Sequence, residues 1–166
     1  MSTPIRAAAA AMVAALAAAA AVPALTGAQG SDARELTVRE KVQAVTFVHT
    51  NPKASPRSDR LAPGDRVLTR QALSAENGGA LGTLFTDCVN VGRRARVFTA
   101  TLQCTSSYRF ADGEVVAAGV VRLDAGAQAG FPITGGSGAY RGARGEITPG
   151  QPVEGYDSVD VLHLDG

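Results

Sequence analysis

Residues 133–147 read ITGGSGAYRGARGEI, with glycine at five of fifteen positions. Closely spaced glycines let backbone N–H groups surround a phosphate, so a nucleotide loop is the first reading to test. No Lys-Ser or Lys-Thr pair follows them, and Gly136, Gly138 and Gly142 miss the dinucleotide fingerprint by one residue. The chain continues as EITPGQPVEGYDSVDVLHL, which has the look of strand where either motif must open a helix. The glycines therefore call for a structural explanation, and the rest of the chain supplies one.

From Glu35 onward nearly every segment alternates or is β-branched, and none holds a helical period for three turns. The first, residues 35–50, places Leu36, Val38, Val42 and Val48 among polar neighbours. Residues 51–65 carry three prolines and few apolar groups, a loop long enough for a lid or crossover. Strands are expected over Asp65–Leu73, over ALGTLFTDCVNV and over RVFTATLQCTSSYRF, the last two flanking an arginine tip at Gly92–Arg96. Asn77-Gly78 and Asp112-Gly113 are hairpin signals, the second opening a strand over Glu114–Ala125, and a final strand ends the chain. Seven or eight short strands mean an all-β sandwich or barrel. Glycines placed inside strands (Gly82, Gly119, Gly142, Gly145) fit a small closed barrel, whose wall must coil tightly.

Residues 1–28 stand apart. A single early charge, Arg6, precedes an uncharged Ala-rich run from Ala7 to Val22, and small residues follow in VPALTGA. That is the layout of a secretory signal peptide, a helix removed after Ala24 or Ala28. The alternative is an attached anchor, but about sixteen apolar residues fall short of the roughly 20 a span needs. One domain, residues 35–166, then remains, exported and off the membrane. A formal charge of +1 supplies no basic stripe for nucleic acid. Aromatics are 5% of the chain and tryptophan is missing, so stacking platforms for bases are poorly supplied.

The stretch PITGGSGAYRGARGEI, preceded by FADGEVVAAGVV, resembles the allene oxide cyclase family and its dirigent-like relatives. Ile133–Gly145 is similar to the family's glycine segment and Asp112–Gly119 to its preceding hairpin, while GDRVLTRQAL and LGTLFTDC fit its second and third strands. The resemblance spans Glu35 to Thr148 and implies a closed eight-stranded antiparallel β-barrel. It also implies a barrel used as a dry mould, in which cyclases close a fatty-acid epoxide and dirigent proteins steer phenolic intermediates. Family members often form trimers, so a homo-oligomer is the matching expectation.

Carried over residue by residue, the resemblance puts the cyclase glutamate, which stabilises developing positive charge, at Glu40. The family's first asparagine is Val42 here and its second is Gln71. Its third-strand cysteine is Cys88, and its tyrosine is replaced by Val121. Glu40 is thus the candidate catalytic group, with Gln71, Cys88, Leu102 and Val121 as candidate ligand contacts. An outward-facing Glu40 between Arg39 and Lys41 is the competing reading.

Cys88 and Cys104 are the only cysteines. A disulfide requires that they face each other across a ladder, which holds if the intervening loop is centred near Arg96. A tight turn at Gly92-Arg93 would instead set Cys88 opposite Val97. Export and the even count favour the bridge; a lone thiol at Cys88 is the other reading.

His49 and His163 are too few for a histidine-rich metal site and are assigned to the surface, so neither metal nor cofactor is expected. Tyr140 and Tyr156 are assigned to the core, Asp157 and Asp160 to the mouth or an edge. Three functions stay open: a barrel isomerase or cyclase acting on an apolar small molecule, a lipocalin-like or dirigent-like carrier without chemistry, and a barrel plugged by Phe98, Leu102 and Phe110. The interior separates them.

Overall fold

The computed structural model describes residues 33–122, 130–151, 153, 155 and 157–165. The segment read as a signal peptide, and Tyr156, lie outside these residues. Among the described residues ten strands form: β1 Arg34–Val48, β2 Arg60–Leu61, β3 Arg66–Ser74, β4 Ala80–Asn90, β5 Ala95–Arg96, β6 Leu102–Phe110, β7 Gly113–Val121, β8 Phe131–Gly138, β9 Arg144–Thr148 and β10 Ser158–Asp165. Eight of them close an antiparallel barrel in the order β1-β10-β9-β8-β7-β6-β4-β3, and β2 pairs with β5 beside it.

Closure depends on β1. Its first half, Arg34–Glu40, pairs with β10, and its second, Arg39–Val48, with β3. Between Val42 and Ala44 the register shifts, a bulge that bends the strand from one neighbour to the other. This bend breaks the alternation that the sequence suggests. Val38 is sealed in the core, whereas Val42 is 41% exposed and Val48 is exposed too.

The turns sit where their residues demand. Gly78 of the Asn-Gly pair has φ 83°, and its N–H donates to Ala75 O. In the glycine-rich stretch, Gly138 (φ 61°) starts the β8–β9 turn and Gly145 (φ 123°) lies in β9. A Cβ on Gly145 would strike the His163 carbonyl oxygen of β10, so the strands coil together only because no side chain is there. Gly142, expected inside a strand, belongs to the turn.

Two connections depart from expectation. The 51–65 loop contains β2, and the stretch read as continuous strand from Arg96 is β5 followed by a 3₁₀ turn over Val97–Thr99. Phe98 points outward at 66% exposure, so it plugs nothing. His49, assigned to the surface, is buried: its Nδ1 lies 2.8 Å from Asp65 Oδ2. Asp65 also accepts from the Thr50 N–H, the Thr50 hydroxyl and the Ala62 N–H. Burial would raise the Asp65 carboxyl, but these hydrogen bonds, His49 first, hold it well below the usual carboxylate range. Asn90 extends the knot, its Nδ2 donating to Leu61 O and Arg93 O. A polar cluster inside the protein thus ties both connections to the barrel end.

Candidate active site

The ends of β1, β4, β7 and β9 and the starts of β3, β6, β8 and β10 meet at one end of the barrel. In that half lies a cavity of about 260 Å³. Val67, Leu102, Val121 and Phe131 give it apolar walls, and Val97 of the 3₁₀ turn adds to them. At the opposite end Val38, Leu73, Val115 and Leu162, each at most 1% exposed, fill the interior. The barrel is half mould and half core, so the plugged reading is set aside.

The disulfide belongs to the wall. Cys88 of β4 faces Cys104 of β6 in register, their Cα atoms are 4.0 Å apart, and both line the cavity. The intervening loop is centred on Arg96, as the bridged reading requires, and the free-thiol reading is overturned.

Polar groups gather at the inner end of the cavity. Glu40, on β1 just before the bulge, faces inward and is 3% exposed, which overturns its outward-facing alternative. Gln71 of β3 donates from Nε2 to Glu40 Oε2 over 2.8 Å. Asp160, assigned from sequence to the mouth or an edge, is 7% exposed inside the barrel and neighbours Glu40. It accepts from the Tyr108 hydroxyl (2.9 Å), the Ser158 hydroxyl (2.8 Å) and the Gly150 N–H (3.3 Å). Asp157 stays at the edge, where its Oδ2 accepts from the Val42 N–H just past the end of the β1–β10 ladder.

Burial, and then the adjacent Asp160 carboxyl, push the Glu40 carboxyl up to about 9. Both causes favour the protonated form of Glu40. Burial, followed by the charges of Glu40 and Asp160, raises the Tyr108 phenol well above its usual value, so it remains a donor. The arrangement is a neutral acid at the end of an apolar chamber, oriented by Gln71. That is the means to polarise one oxygen of a bound molecule away from bulk water.

Of the candidate residues, Glu40, Gln71, Cys88, Leu102 and Val121 all line this cavity. Val42, where the resemblance sets an asparagine, does not. Sequence reasoning missed Tyr108, Asp160 and the facing hydroxyls of Thr86 and Ser106, 3.2 Å apart. One signal was available: Asp160 and Ser158 share the phase of the apolar Leu162 and Leu164 along β10. Tyr140 is buried against Phe110, and Arg34 lies over its ring, at the barrel's other end.

The profile described as "allene oxide cyclase barrel like domain" matches residues 43–161. The backbone is similar to that of a pyocyanin demethylase, with TM-score 0.60 and 21% identity, covering 79% of this chain and 99% of that one. An exo-specific intermolecular Diels–Alderase follows at TM-score 0.55 and 17% identity, covering 81% and 98%. A pterocarpan synthase dirigent protein gives TM-score 0.56 and 18% identity, covering 86% and 92%. At such identities the likeness speaks for the fold alone. No curated protein matches the sequence.

Proposed function

The chain belongs to the allene oxide cyclase barrel-like family, and on that premise we propose that its barrel binds an apolar small molecule and steers the cyclisation of a reactive intermediate. The observation that carries this reading is Glu40: a buried carboxyl held by Gln71 at the inner end of an apolar cavity. The walls hold a flexible substrate in one conformation and keep water from the intermediate. Glu40 hydrogen-bonds to the substrate oxygen on which charge develops, and Gln71 fixes its orientation. A neutral Glu40 differs from the charge-stabilising carboxylate that the family resemblance implies. With Val42 and Val121 where that resemblance sets amide and phenol groups, the reaction is another ring closure than that of allene oxides.

The same fold is found in proteins named as a Diels–Alderase and a dirigent protein, so a steering role is compatible with it. Export fits the reading: a cross-strand disulfide persists in an oxidising compartment, and residues 1–28 have the layout of a cleaved signal.

Cyclisation conserves mass, which gives the test. A small-molecule extract of the producing culture is incubated with wild type and with Glu40→Ala and analysed by chromatography and mass spectrometry. A compound converted to an isomer of equal mass by wild type, and untouched by the folded variant, is the expected result. Equal conversion by both proteins would remove Glu40 from the mechanism.

A further inference from the structure

The inner end of the cavity holds more buried acceptors than the protein's donors serve. Three donors, the Tyr108 and Ser158 hydroxyls and the Gly150 N–H, all go to Asp160. The Gln71 amide nitrogen goes to Glu40 Oε2. Glu40 Oε1 and Gln71 Oε1 are left buried with no donor from the protein. An unserved buried acceptor is costly, and the large majority of buried polar atoms have a partner. The second Gln71 N–H and the Thr86 and Ser106 hydroxyls of the same cavity do not reach either oxygen, so both acceptors stay unserved by geometry.

We infer that the molecule taken into this barrel carries an O–H or N–H donor, which it places on Gln71 Oε1 beside Glu40 Oε1 while its apolar body lies against Val67, Leu102, Val121 and the Cys88–Cys104 bridge. A hydroxyl suits the pair best, because its oxygen accepts from the Glu40 acid while its hydrogen goes to the Gln71 carbonyl. A ligand offering only acceptors, such as an ether or epoxide, would leave Gln71 Oε1 stranded. The apolar walls discriminate weakly between molecules of one shape, whereas a buried unserved acceptor discriminates strongly. The donor is thus the specificity element of the site. This inference rests on the interior-binding reading and adds the chemistry of the bound group.

Three matched probes test it on the intact protein at pH 6: naphthalene, 2-methoxynaphthalene and 2-naphthol, titrated by calorimetry. The expected result is that 2-naphthol binds about tenfold more tightly than its methyl ether, equivalent to ~1.4 kcal/mol. In Gln71→Leu, checked for an unchanged circular dichroism spectrum, that preference of naphthol over ether shrinks to within about twofold. Equal wild-type affinities for naphthol and ether would mean that solvent serves these oxygens, and would overturn the donor requirement while leaving interior binding intact. Failure of all three probes to bind would take down both readings.

Discussion

The Tyr108 hydroxyl donates to Asp160 Oδ2 over 2.9 Å, joining β6 to β10 across the barrel. Those strands share no ladder, and the two residues are 52 positions apart. The bond is a strut through the interior. It fixes one wall of the site to the other and takes up an oxygen of the carboxyl beside Glu40.

Removing the strut has a defined cost. Tyr108→Phe keeps the ring and removes one donor from Asp160, which keeps those of Ser158 and Gly150. We expect a loss of about 1–3 kcal/mol of folding stability, since the buried acceptor stays while its donor goes. Urea denaturation checks this; a change below about 0.5 kcal/mol would mean that the strut contributes little.

Glu40 sets a pH dependence with a definite sign. Its folded-state value of about 9 lies above the ordinary 4.5, so between these limits the folded protein holds a proton that the unfolded chain has released. Stability contributed by this group is full below pH 4.5 and is lost as pH rises toward 9, by at most ~1.4 kcal/mol per pH unit. Asp65 acts oppositely: its lowered value contributes stability above about pH 4 that is lost on acidification. Urea midpoints measured from pH 5 to 8.5 should fall for wild type and stay nearly level for Glu40→Gln. Parallel profiles would show that Glu40 is not the titrating group.

The bridge in the cavity wall closes a loop with a sequence separation of 16. Its loss through Cys88→Ser with Cys104→Ser should cost on the order of 3 kcal/mol, the entropy a loop of that length withholds from the unfolded chain. Denaturation of this double variant against oxidised wild type gives the value. Equal stabilities would assign the bridge a role other than stabilisation.

Two glycines of the opening stretch should respond differently to alanine. Gly145 combines φ 123° with a blocked Cβ position, whereas Gly142, at φ 79°, faces open space. Gly142→Ala should cost about 1 kcal/mol and Gly145→Ala several times more, seen as a drop in Tm of the first and failure to fold of the second. Similar melting temperatures would contradict the close β9–β10 approach.

The strands and turns were legible along the chain because they are local. Alternation in Asp65–Leu73, the Asn77-Gly78 and Asp112-Gly113 pairs and the glycines before Ile147 state their conformations within a few residues. That was enough for an all-β chain, and with the resemblance for a closed barrel with Glu40, Gln71 and Cys88 as candidates. Phase along a strand carries two possible faces, and sequence leaves the choice open wherever a bulge intervenes. Hence Val42 was grouped with Val38 although the bend turns it outward, and Glu40 kept an outward alternative.

What tertiary structure alone decided were the contacts made when the sheet closes. Cys88 meets Cys104 because the β4–β6 register is centred on Arg96. Asp160 comes to lie beside Glu40 and under Tyr108 because β10 pairs with β1 and faces β6 across the interior. The His49 side chain is buried because Asp65, sixteen residues further on, folds back to meet its Nδ1. Each brings together groups far apart in the chain, and a polar residue in isolation looks the same whether water or a carboxyl will be its neighbour. Sequence determined where the polypeptide extends and turns; closure determined which charges share a dry space, since that depends on pairing among all eight strands at once.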